Sequence, residues 1–478
     1  MINYATMRLS ECAASALESP LFASTTTEEL NRLPVHRLFW RYALPSIAGM
    51  MVTGLYYLVD GMIVGRYVGG NGLAAINLAY PMIMLVTGLG AMLAMGGATR
   101  LSLRQGAGDP AGARRALANT LLLLGAGGAL IPVLSLWQMD RLLCWLKADA
   151  NPELLAHTGD YLGWVLTGSV LLMGQMAVAA LLRNDGRPQL ATLLLSCGAV
   201  LNMGLCYWFV AHLGWGLVGA AASTLLAEGL VVIIGLGYFF SPHARLRLGW
   251  RDLRPHRESA AALLALGSPN LLMELNLALL LYAHNYQLLS YGNEENVAAF
   301  AVTGYTEAMF VLLVHGLAMG MQPLLSHAAG AEQHDRARAT LRYGLAVILG
   351  LGGAGLLLIL GAPGWIAGLF AGDAPHLQQL AERSLQLHLF ALPLDGLLIV
   401  GVVALQAMAR TRRALIMTGC KTLLLAPALI GLPLWLGVDG VLLAAPLVNS
   451  ALGLIMAGLL FVLLRQLGGQ QTQTASSC

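Results

Sequence analysis

A small set of ionisable side chains lies within stretches of sequence that are otherwise apolar. Asp60 is the only formally charged residue between Tyr42 and Gly65. A charge in a hydrocarbon environment costs about 2.5–3.5 kcal/mol on insertion scales, so such residues are rarely kept without a role. A desolvated carboxylate can hold a proton or hold a cation, and we expect these acids to bind and release positive charge. The other ionisable residues of this kind are Glu228, Glu274, Glu307, Asp395 and Lys421, with His284 and His315.

The apolar stretches that carry these residues are long enough to cross a membrane as helices. The chain has 478 residues, of which 57% are hydrophobic and 11% are charged, and its mean hydropathy is +0.70. A soluble protein is roughly a quarter charged, whereas about 20 helical residues cross a bilayer core of about 30 Å. The sequence therefore predicts an all-α polytopic membrane protein. Its twelve predicted transmembrane helices are 41–66, 73–99, 116–139, 160–182, 188–211, 215–240, 260–290, 297–328, 343–370, 384–409, 414–437 and 440–464.

Arginine and lysine residues predict the orientation in the membrane. With the N-terminus in the cytoplasm, the 27 basic residues lie on that side except Arg66, Arg141, Lys147 and Arg383, as the positive-inside rule requires. An even number of spans returns the C-terminus to the cytoplasm. We therefore expect a multi-pass protein of a bacterial cytoplasmic (inner) membrane, with loose tails at 1–35 and 467–478. The net charge of +3 reports this topology, so no nucleic-acid partner is expected.

Motifs for catalysis, metals and cofactors are not recognised in the sequence. The six cysteines form no CxxC pair and have no metal-ligand spacing with histidines. No HExxH, GxSxG or Walker motif is found. We therefore predict that the chain is not an enzyme and has no metal or cofactor.

The chain contains an internal repeat. A shift of 224 positions places 45–117 on 269–341 without a gap, with 17 of 73 positions identical. The tetrapeptide LAMG at 93–96 recurs at 317–320. We predict two pseudo-symmetric six-helix lobes, 36–240 and 260–466, joined by a basic cytoplasmic linker at 241–259. Two parallel repeats are typical of transporters whose halves rock around a central site, although duplicated bundles could also form a scaffold.

Four residues of the N-terminal lobe are predicted to form an ion-coupling site. Asp60 lies six residues before Arg66, about 9 Å below the outer end of its span, and Asn202 and Thr224 lie at similar depths in spans 5 and 6. Glu228 follows Thr224 by one turn on the same helix face. A carboxylate with amide and hydroxyl neighbours in a low dielectric can act as a coupling switch.

Acids within the membrane spans, together with nearby aromatic rings, are predicted to bind substrate. Glu274 and Asp395 lie near the middle of their spans, and Glu307 lies nearer the outside. Acids beside aromatic rings suit an amphipathic organic cation, through charge pairing and attraction to the ring face. The candidate aromatic residues are Tyr57, Tyr282 and Tyr305.

Each of these residues also has a structural interpretation. Asp60 could cap a broken helix beside Gly61, and Glu228 could pair with Lys421, which could instead extend to the membrane surface. Glu307 could bind a neighbouring hydroxyl group. His284 and His315 could be hydrogen-bonded core histidines, and the tyrosines could serve only for packing.

These features together resemble the multidrug and toxic compound extrusion (MATE) family, from about Leu33 to Leu464. The segment LPVHRLFWRYALPSIAGMMVTGLYYLVDGMIVGRYVGG looks like that family's first helix. LGSPNLLMEL around Glu274 and GLAMGMQPLLSHAAGA at 316–331 are similar to the MepA-like branch. The resemblance implies a V-shaped pair of lobes that exports cationic drugs in exchange for protons or sodium ions.

The resemblance also implies roles for particular residues. Asp60 matches the family's coupling aspartate, Asn202 and Thr224 match its partners, and Pro45 matches a proline at which the first helix bends. The family often has a second acid where this chain has Cys206, and we hypothesise that Glu228 supplies that charge. Asp395 looks like the helix-10 acid of another branch, whereas Asn449 stands where MepA-like members are expected to have an acid.

We therefore expect a monomeric secondary antiporter that exports small amphipathic organic cations across the lipid bilayer by rocker-switch alternating access. Protons are favoured over sodium as the coupling ion because Cys206 removes an expected oxygen ligand. Two alternatives remain open: export of an endogenous metabolite, and a lipid-linked precursor flippase of related fold. The mainly acidic buried charges argue against the flippase, which needs a cationic cavity.

Overall fold

The structure is a computed structural model that describes residues 25–146, 152–249, 252–371 and 375–475. Within those ranges the regular structure is helical, and no β-strand is present. The N-terminal half contains α1 (Thr27–Arg32), α2 (Val35–Tyr67), α3 (Gly70–Gly106), α4 (Pro110–Trp137), α5 (Met139–Trp145), α6 (Pro152–Thr167), α7 (Ser169–Asn184), α8 (Pro188–Cys206, continued by a π-helix at Tyr207–His212) and α9 (Gly216–Phe240). The C-terminal half contains α10 (Arg257–Tyr291), α11 (Glu294–Gly330), α12 (His334–Gly361), α13 (Pro363–Ala371), α14 (Pro375–His388), α15 (Leu392–Ala407), α16 (Thr411–Leu436) and α17 (Val438–Ala475).

Twelve membrane spans can be assigned to these helices. Ten helices are long and apolar enough to cross a membrane as single elements. Two further spans are helix pairs bent at a short break, α6 with α7 by 49° and α14 with α15 by 50°. The predicted all-α polytopic fold is confirmed.

The two bent spans correspond to the single helices predicted at 160–182 and 384–409, each of which is two helices in the structure. The first break lies at Gly168, where a Cβ atom would come within 2.2 Å of Leu225 on α9. In the second, Pro393 is the second residue of α15 and has no backbone N–H to continue the preceding helix. The fourth span of each half is therefore broken at nearly the same point of the repeat.

Parts of the predicted tails and linker have regular structure, whereas residues 1–24, 250–251 and 476–478 lie outside the described residues. Residues 27–32 form α1, which opens with a capping box between Thr26 and Glu29, and α17 continues to Ala475 instead of ending near 466. In the linker, Leu248 is 2% exposed, and its N–H donates to the Phe239 carbonyl (2.9 Å). The hydropathy pattern alone did not predict this local structure.

The two lobes pack tightly at one end of the molecule, which we call the linker end because the 241–256 segment lies there. In α3 the buried residues concentrate between Val86 and Ser102, and in α11 they concentrate between Val314 and Ala328. Backbones touch where α3 crosses α10, since a Cβ at Gly96 or Gly267 would lie 2.1 Å or 1.9 Å from a carbonyl oxygen of the other helix.

A buried polar network closes the linker end. The Asn184 side-chain amide donates to Gln322 Oε1 (2.9 Å), and Gln322 donates to Thr99 Oγ1 (3.1 Å). Ser102 Oγ donates to Asn184 Oδ1 (2.6 Å). Toward the other end the facing sides of α2, α3, α10 and α11 become more exposed. The lobes therefore enclose a cleft that is shut at the linker end and widens away from it.

Candidate functional site

The N-lobe cluster consists of Asp60 on α2, Asn202 and Cys206 on α8, and Thr224 on α9. Asn202 donates its amide to Thr224 Oγ1 (3.0 Å), and the Asp60 carboxyl group faces both of these side chains and the Cys206 thiol. Asp60 Oδ1 and Asn202 Oδ1 are buried without a hydrogen-bond partner among the described residues. The structure thus brings together three of the four residues predicted for the ion-coupling site, and the side chains that face Asp60 within this cluster are neutral.

The π-helix that follows Cys206 explains how α8 can present this face. One widened turn at Tyr207–His212 shifts the register of the helix after Asn202 and Cys206 have been positioned. Such turns are rare and occur mostly at functional sites. Cys206 is fully buried, with its side chain between Asp60 and Ser223.

Glu228 lies beside the N-lobe cluster but is not part of it. Its side chain is 6% exposed, and Gln175 Nε2 on α7 donates to its Oε1 (3.2 Å). The other carboxylate oxygen is buried without a partner among the residues described. The Glu228 charge interacts with Asp60 through space, so the two carboxyl groups share one electrostatic environment. The considered pairing of Glu228 with Lys421 is wrong, since Lys421 lies in the other lobe beside Asp395.

Tyrosines line the approach to these acids. The rings of Tyr56 and Tyr57 lie 4.2 Å apart, and Tyr57 is 59% exposed toward the cleft region that contains Glu228 and Glu274. Tyr161 on α6 lies near Asp60, Tyr57, Glu228 and Cys206. Sequence reasoning did not single out Tyr161, because a tyrosine in an apolar run gives no signal of its neighbours.

The C-lobe cluster is Glu307 on α11, His388 on α14, Asp395 on α15 and Lys421 on α16. His388 Nδ1 lies 2.8 Å from the Leu442 carbonyl oxygen, which can only accept, so this nitrogen carries a hydrogen. Its Nε2 lies 3.5 Å from Glu307 Oε2. A second proton must therefore be present on one of these two groups for the contact to be attractive.

The rest of the C-lobe cluster balances the charge of Asp395. The charges of Lys421 and His388 act on that carboxylate, and the Asn449 side chain hydrogen-bonds to it. The aromatic rings of His284 and Phe300 pack against His388, with ring centroids 5.5 and 5.0 Å away. Acids and cations thus alternate within this cluster, in contrast with the neutral partners of Asp60.

His388 was the clearest omission of the sequence reasoning. It lies inside the predicted run 384–409, but it ends the polar helix α14, whose sequence is PHLQQLAERSLQLH. From the sequence, a histidine at that place is expected to lie in solvent at the start of a span. Its burial at 3% follows from the bend before α15, which turns the end of α14 into the lobe.

Glu274 lies apart from Asp395, on the face of α10 that packs against α3. A Cβ at Gly88 would come within 3.2 Å of the Glu274 Cβ, and Tyr80 on α3 and Tyr57 on α2 lie in range of its charge. The contacts in the described parts of the chain do not join Glu274 to Asp395. Of the predicted substrate residues, Glu274 and Tyr57 therefore share one region, while Asp395 and Glu307 share another.

The two remaining predicted aromatic contacts and the predicted hinge are placed as follows. Tyr282 and Tyr305 are 73% and 55% exposed. Pro45 lies within α2, which continues through it without interruption. The Pro45 carbonyl oxygen accepts a hydrogen bond from Thr192 Oγ1 (2.7 Å), so α8 supports the proline region of α2 from the side.

The N-lobe cluster places the Cys206 thiol beside the Asp60 carboxyl group, together with the oxygen-bearing side chains of Asn202 and Thr224. Sodium is bound by several oxygen ligands, which a sulfur atom does not replace. In the described ranges no three His, Cys, Asp or Glu side chains converge as a metal site would require.

Comparison with known proteins identifies the family. The MatE family model matches residues 45–208 and 269–430, which is more than half of the chain. The chain belongs to the MatE family. The two matches start at Pro45 and Pro269, 224 residues apart, which is the shift of the internal repeat. The predicted family is confirmed, and the chain is a multi-pass membrane transporter of the multidrug-efflux type and not an enzyme.

Relatives of this MATE transporter differ in what they are named for. It is 26% identical over 427 residues to the FAD transporter of Shewanella oneidensis, covering 88% of this chain and 93% of that protein. It is 22% identical over 408 residues to the multidrug export protein MepA of Staphylococcus haemolyticus, covering 85% and 89%.

The same fold is found in a solved structure of an outward-facing multidrug resistance MATE family transporter of the MOP superfamily. The TM-score is 0.85 at 24% identity, covering 93% of this chain and 99% of that one.

Proposed function

We propose that this MATE transporter is a proton-coupled antiporter that exports small amphipathic organic cations across a bacterial inner membrane. The arrangement of Asp60 is the observation that carries the proposal: a carboxyl group near the open end of the cleft, with only neutral polar partners. Its charge can therefore change without breaking an ion pair. The excess of basic residues near the linker end supports a cytoplasmic location for that end and for both termini.

The substrate class is inferred from the charges that face the cleft. Asp60 and Glu274 lie on helices that border the cleft, beside the exposed Tyr57, and the buried Glu228 on α9 adds its charge from behind Asp60. In the C-lobe cluster Lys421 and His388 offset Asp395 and Glu307. The net field is negative, which favours a cation, and ring faces add attraction for an organic one. One chain contains both lobes, which supports transport by a monomer.

The proposed mechanism requires only competition between proton and substrate. With the cleft open to the outside, as the closed linker end indicates, Asp60 takes up a proton and no longer attracts the cation. The cation leaves. The lobes then rearrange, so that the cleft closes on the outer side and opens at the linker end. A change in α2 at Pro45 is easily accommodated because proline contributes no N–H to the helix. Coupling follows because each ligand binds one charge state better than the other.

Asp60→Asn in proteoliposomes tests the proposal. Uptake of a fluorescent organic cation is measured under an imposed proton gradient, and separately under a sodium gradient. We expect the variant to lose at least about tenfold in proton-driven transport, while Asp160→Asn, an exposed carboxylate on α6, keeps the wild-type rate. Full coupling in Asp60→Asn, or transport driven by sodium alone, would contradict the proposal.

A flavin dinucleotide is the second candidate substrate, favoured by the relative named as an FAD transporter. Such a molecule is an anion and needs a cation to bind it, for which Lys421 of the C-lobe cluster is the candidate. Competition separates the two candidates: unlabelled FAD and an organic cation are each added to the proteoliposome assay. Two results together would support the metabolite over the drug: FAD inhibits transport whereas the organic cation does not, and FAD no longer inhibits the Lys421→Gln variant.

A further inference from the structure

A concave basic pocket lies at the linker end, outside the central cleft. It is bordered by the last turns of α3, the start of α4, the end of the linker and the first turn of α10. The pocket is therefore formed by both lobes. Four arginines and two acids line it, giving a net charge of +2 with His256 neutral: Arg100, Arg104, Arg115, Arg257, Asp109 and Glu258.

Two of the four arginine charges of this pocket are not balanced by the acids that line it, since Asp109 pairs with Arg104 and Glu258 acts on Arg100. Arg104 is paired with Asp109 (3.1 Å), and the other oxygen of that carboxylate accepts from the Gly112 N–H (2.7 Å). The Gly112 N–H and Arg104 hold the pKa of Asp109 below its usual value, so it is fully ionised at neutral pH. The guanidinium groups of Arg100, Arg115 and Arg257 make no hydrogen bond or salt bridge with any residue that the structure describes.

The depth of the pocket matches that of lipid headgroups. The spans predicted at 73–99, 116–139 and 260–290 all end at this level, and the lining residues 100–115 and 255–259 lie immediately beyond them. The linker is held in place here, because the His256 N–H donates to Asn119 Oδ1 on α4 (3.0 Å). Basic pockets between transmembrane helices on the cytoplasmic side are suited to anionic headgroups, and planar guanidinium groups match phosphate oxygens in pairs.

We propose that this pocket binds a phosphate group, carried either by an anionic lipid headgroup or by a soluble phosphate. The bound anion neutralises arginines that otherwise repel one another. Arg115 belongs to the N-terminal lobe, and Arg257 belongs to α10 of the C-terminal lobe. The bound anion therefore also holds the two lobes together at the linker end.

Thermal unfolding of the purified full chain in a neutral detergent tests this proposal. The probes are phosphatidylglycerol, phosphatidylcholine as the neutral lipid, and inorganic phosphate, each against chloride at matched ionic strength. We expect phosphatidylglycerol or phosphate to raise the unfolding midpoint by several degrees. The Arg115→Gln/Arg257→Gln variant should lose most of that increase. The control Arg412→Gln/Arg413→Gln, which removes two arginines near the start of α16, should keep it.

The pattern of responses identifies the source of the phosphate. Stabilisation by phosphatidylglycerol alone indicates a lipid site, and stabilisation by inorganic phosphate as well indicates a site open to solutes. If the Arg115→Gln/Arg257→Gln variant responds as the wild type does, or if chloride reproduces the whole effect, the proposal is wrong. Should that variant fold poorly, Arg115→Lys/Arg257→Lys replaces it. Where phosphatidylglycerol is the stabilising probe, native mass spectrometry of the variant that folds counts retained phosphatidylglycerol, and a number equal to wild type would also overturn the proposal.

Discussion

The two halves of the repeat place different chemistry at the same point. Asp60 of the N-terminal half aligns with His284 of the C-terminal half, and each lies among polar residues inside its lobe. Around Asp60 the neighbours are an amide, a hydroxyl group and a thiol. Around His284 lie a second histidine, the Glu307 carboxylate and the Lys421 ammonium group.

Because of this difference, Asp60 can change its charge, whereas the acids of the C-lobe cluster are needed to balance the nearby cations. Protonation of Asp60 removes a charge that no neighbouring cation requires. In the C-lobe cluster, protonation of Asp395 or Glu307 would leave Lys421 or His388 uncompensated in a low dielectric. We therefore assign coupling to the N-terminal lobe, and the following experiments test that assignment.

The largest effect is expected from Glu228→Gln. If Glu228 supplies the charge that is missing at Cys206, its neutral amide should reduce proton-driven transport at least about tenfold, with little change in the unfolding temperature because Gln175 can still hydrogen-bond to it. The measurement is transport per folded protein in proteoliposomes. Glu382→Gln, the same change on α14, serves as the control, and near-normal transport in Glu228→Gln would remove this residue from the coupling site.

A smaller effect on transport, but a larger one on stability, is expected from Glu307→Gln. Removing one member of a fully buried charge pair costs about 3–5 kcal/mol, and the Glu307 side chain is 29% exposed while that of His388 is 2% exposed. The unfolding temperature should therefore fall by a few degrees, while transport per folded protein stays within about threefold.

The double variant Glu307→Gln/His388→Gln should recover part of the stability lost in Glu307→Gln, which a double-mutant cycle measures as coupling. Loss of transport in Glu307→Gln at an unchanged unfolding temperature would move the coupling function into the C-terminal lobe.

The comparison also shows what the sequence could and could not predict. Hydropathy and the 224-residue shift were sufficient for the fold, because a membrane span requires a long apolar run. Asp60, Asn202 and Thr224 were grouped correctly because helix rise gives depth, and three residues at one depth on neighbouring helices meet. The bends in the fourth span of each half have no hydropathy signal, so the position of His388 could not be derived.

Pairing across a lobe was the least predictable feature. Lys421 was considered as a partner of Glu228, yet it lies beside Asp395, because depth does not specify which helices are neighbours. For the same reason Glu274 and Asp395 were expected to hold one substrate together, whereas α10 turns Glu274 toward α3 and α15 carries Asp395 into the C-terminal lobe.

The smallest effect concerns the loops that end the bent spans. Asp185 caps α7, and its carboxylate accepts from Tyr238 Oη (2.8 Å) and from the N–H groups of Arg245 (3.1 Å) and Leu246 (3.2 Å). The corresponding cap of α15 is Met408. The acid that caps α7 therefore also holds the linker, whereas the residue that caps α15 is not an acid. Burial raises the pKa of Asp185 to about 6 despite these hydrogen bonds.

The pH dependence of stability tests this last contrast. Because the folded chain binds the Asp185 proton more tightly than the unfolded chain does, its contribution is complete below about pH 4 and is lost as the pH rises through about 6. Between pH 5 and pH 7 the wild type should lose about 1 kcal/mol that Asp185→Asn does not lose. Unfolding midpoints at both pH values measure this, with Asp252→Asn in the linker as the control. Equal pH slopes in wild type and Asp185→Asn would mean that this carboxyl group is ionised in both states, and that the three hydrogen bonds outweigh its burial.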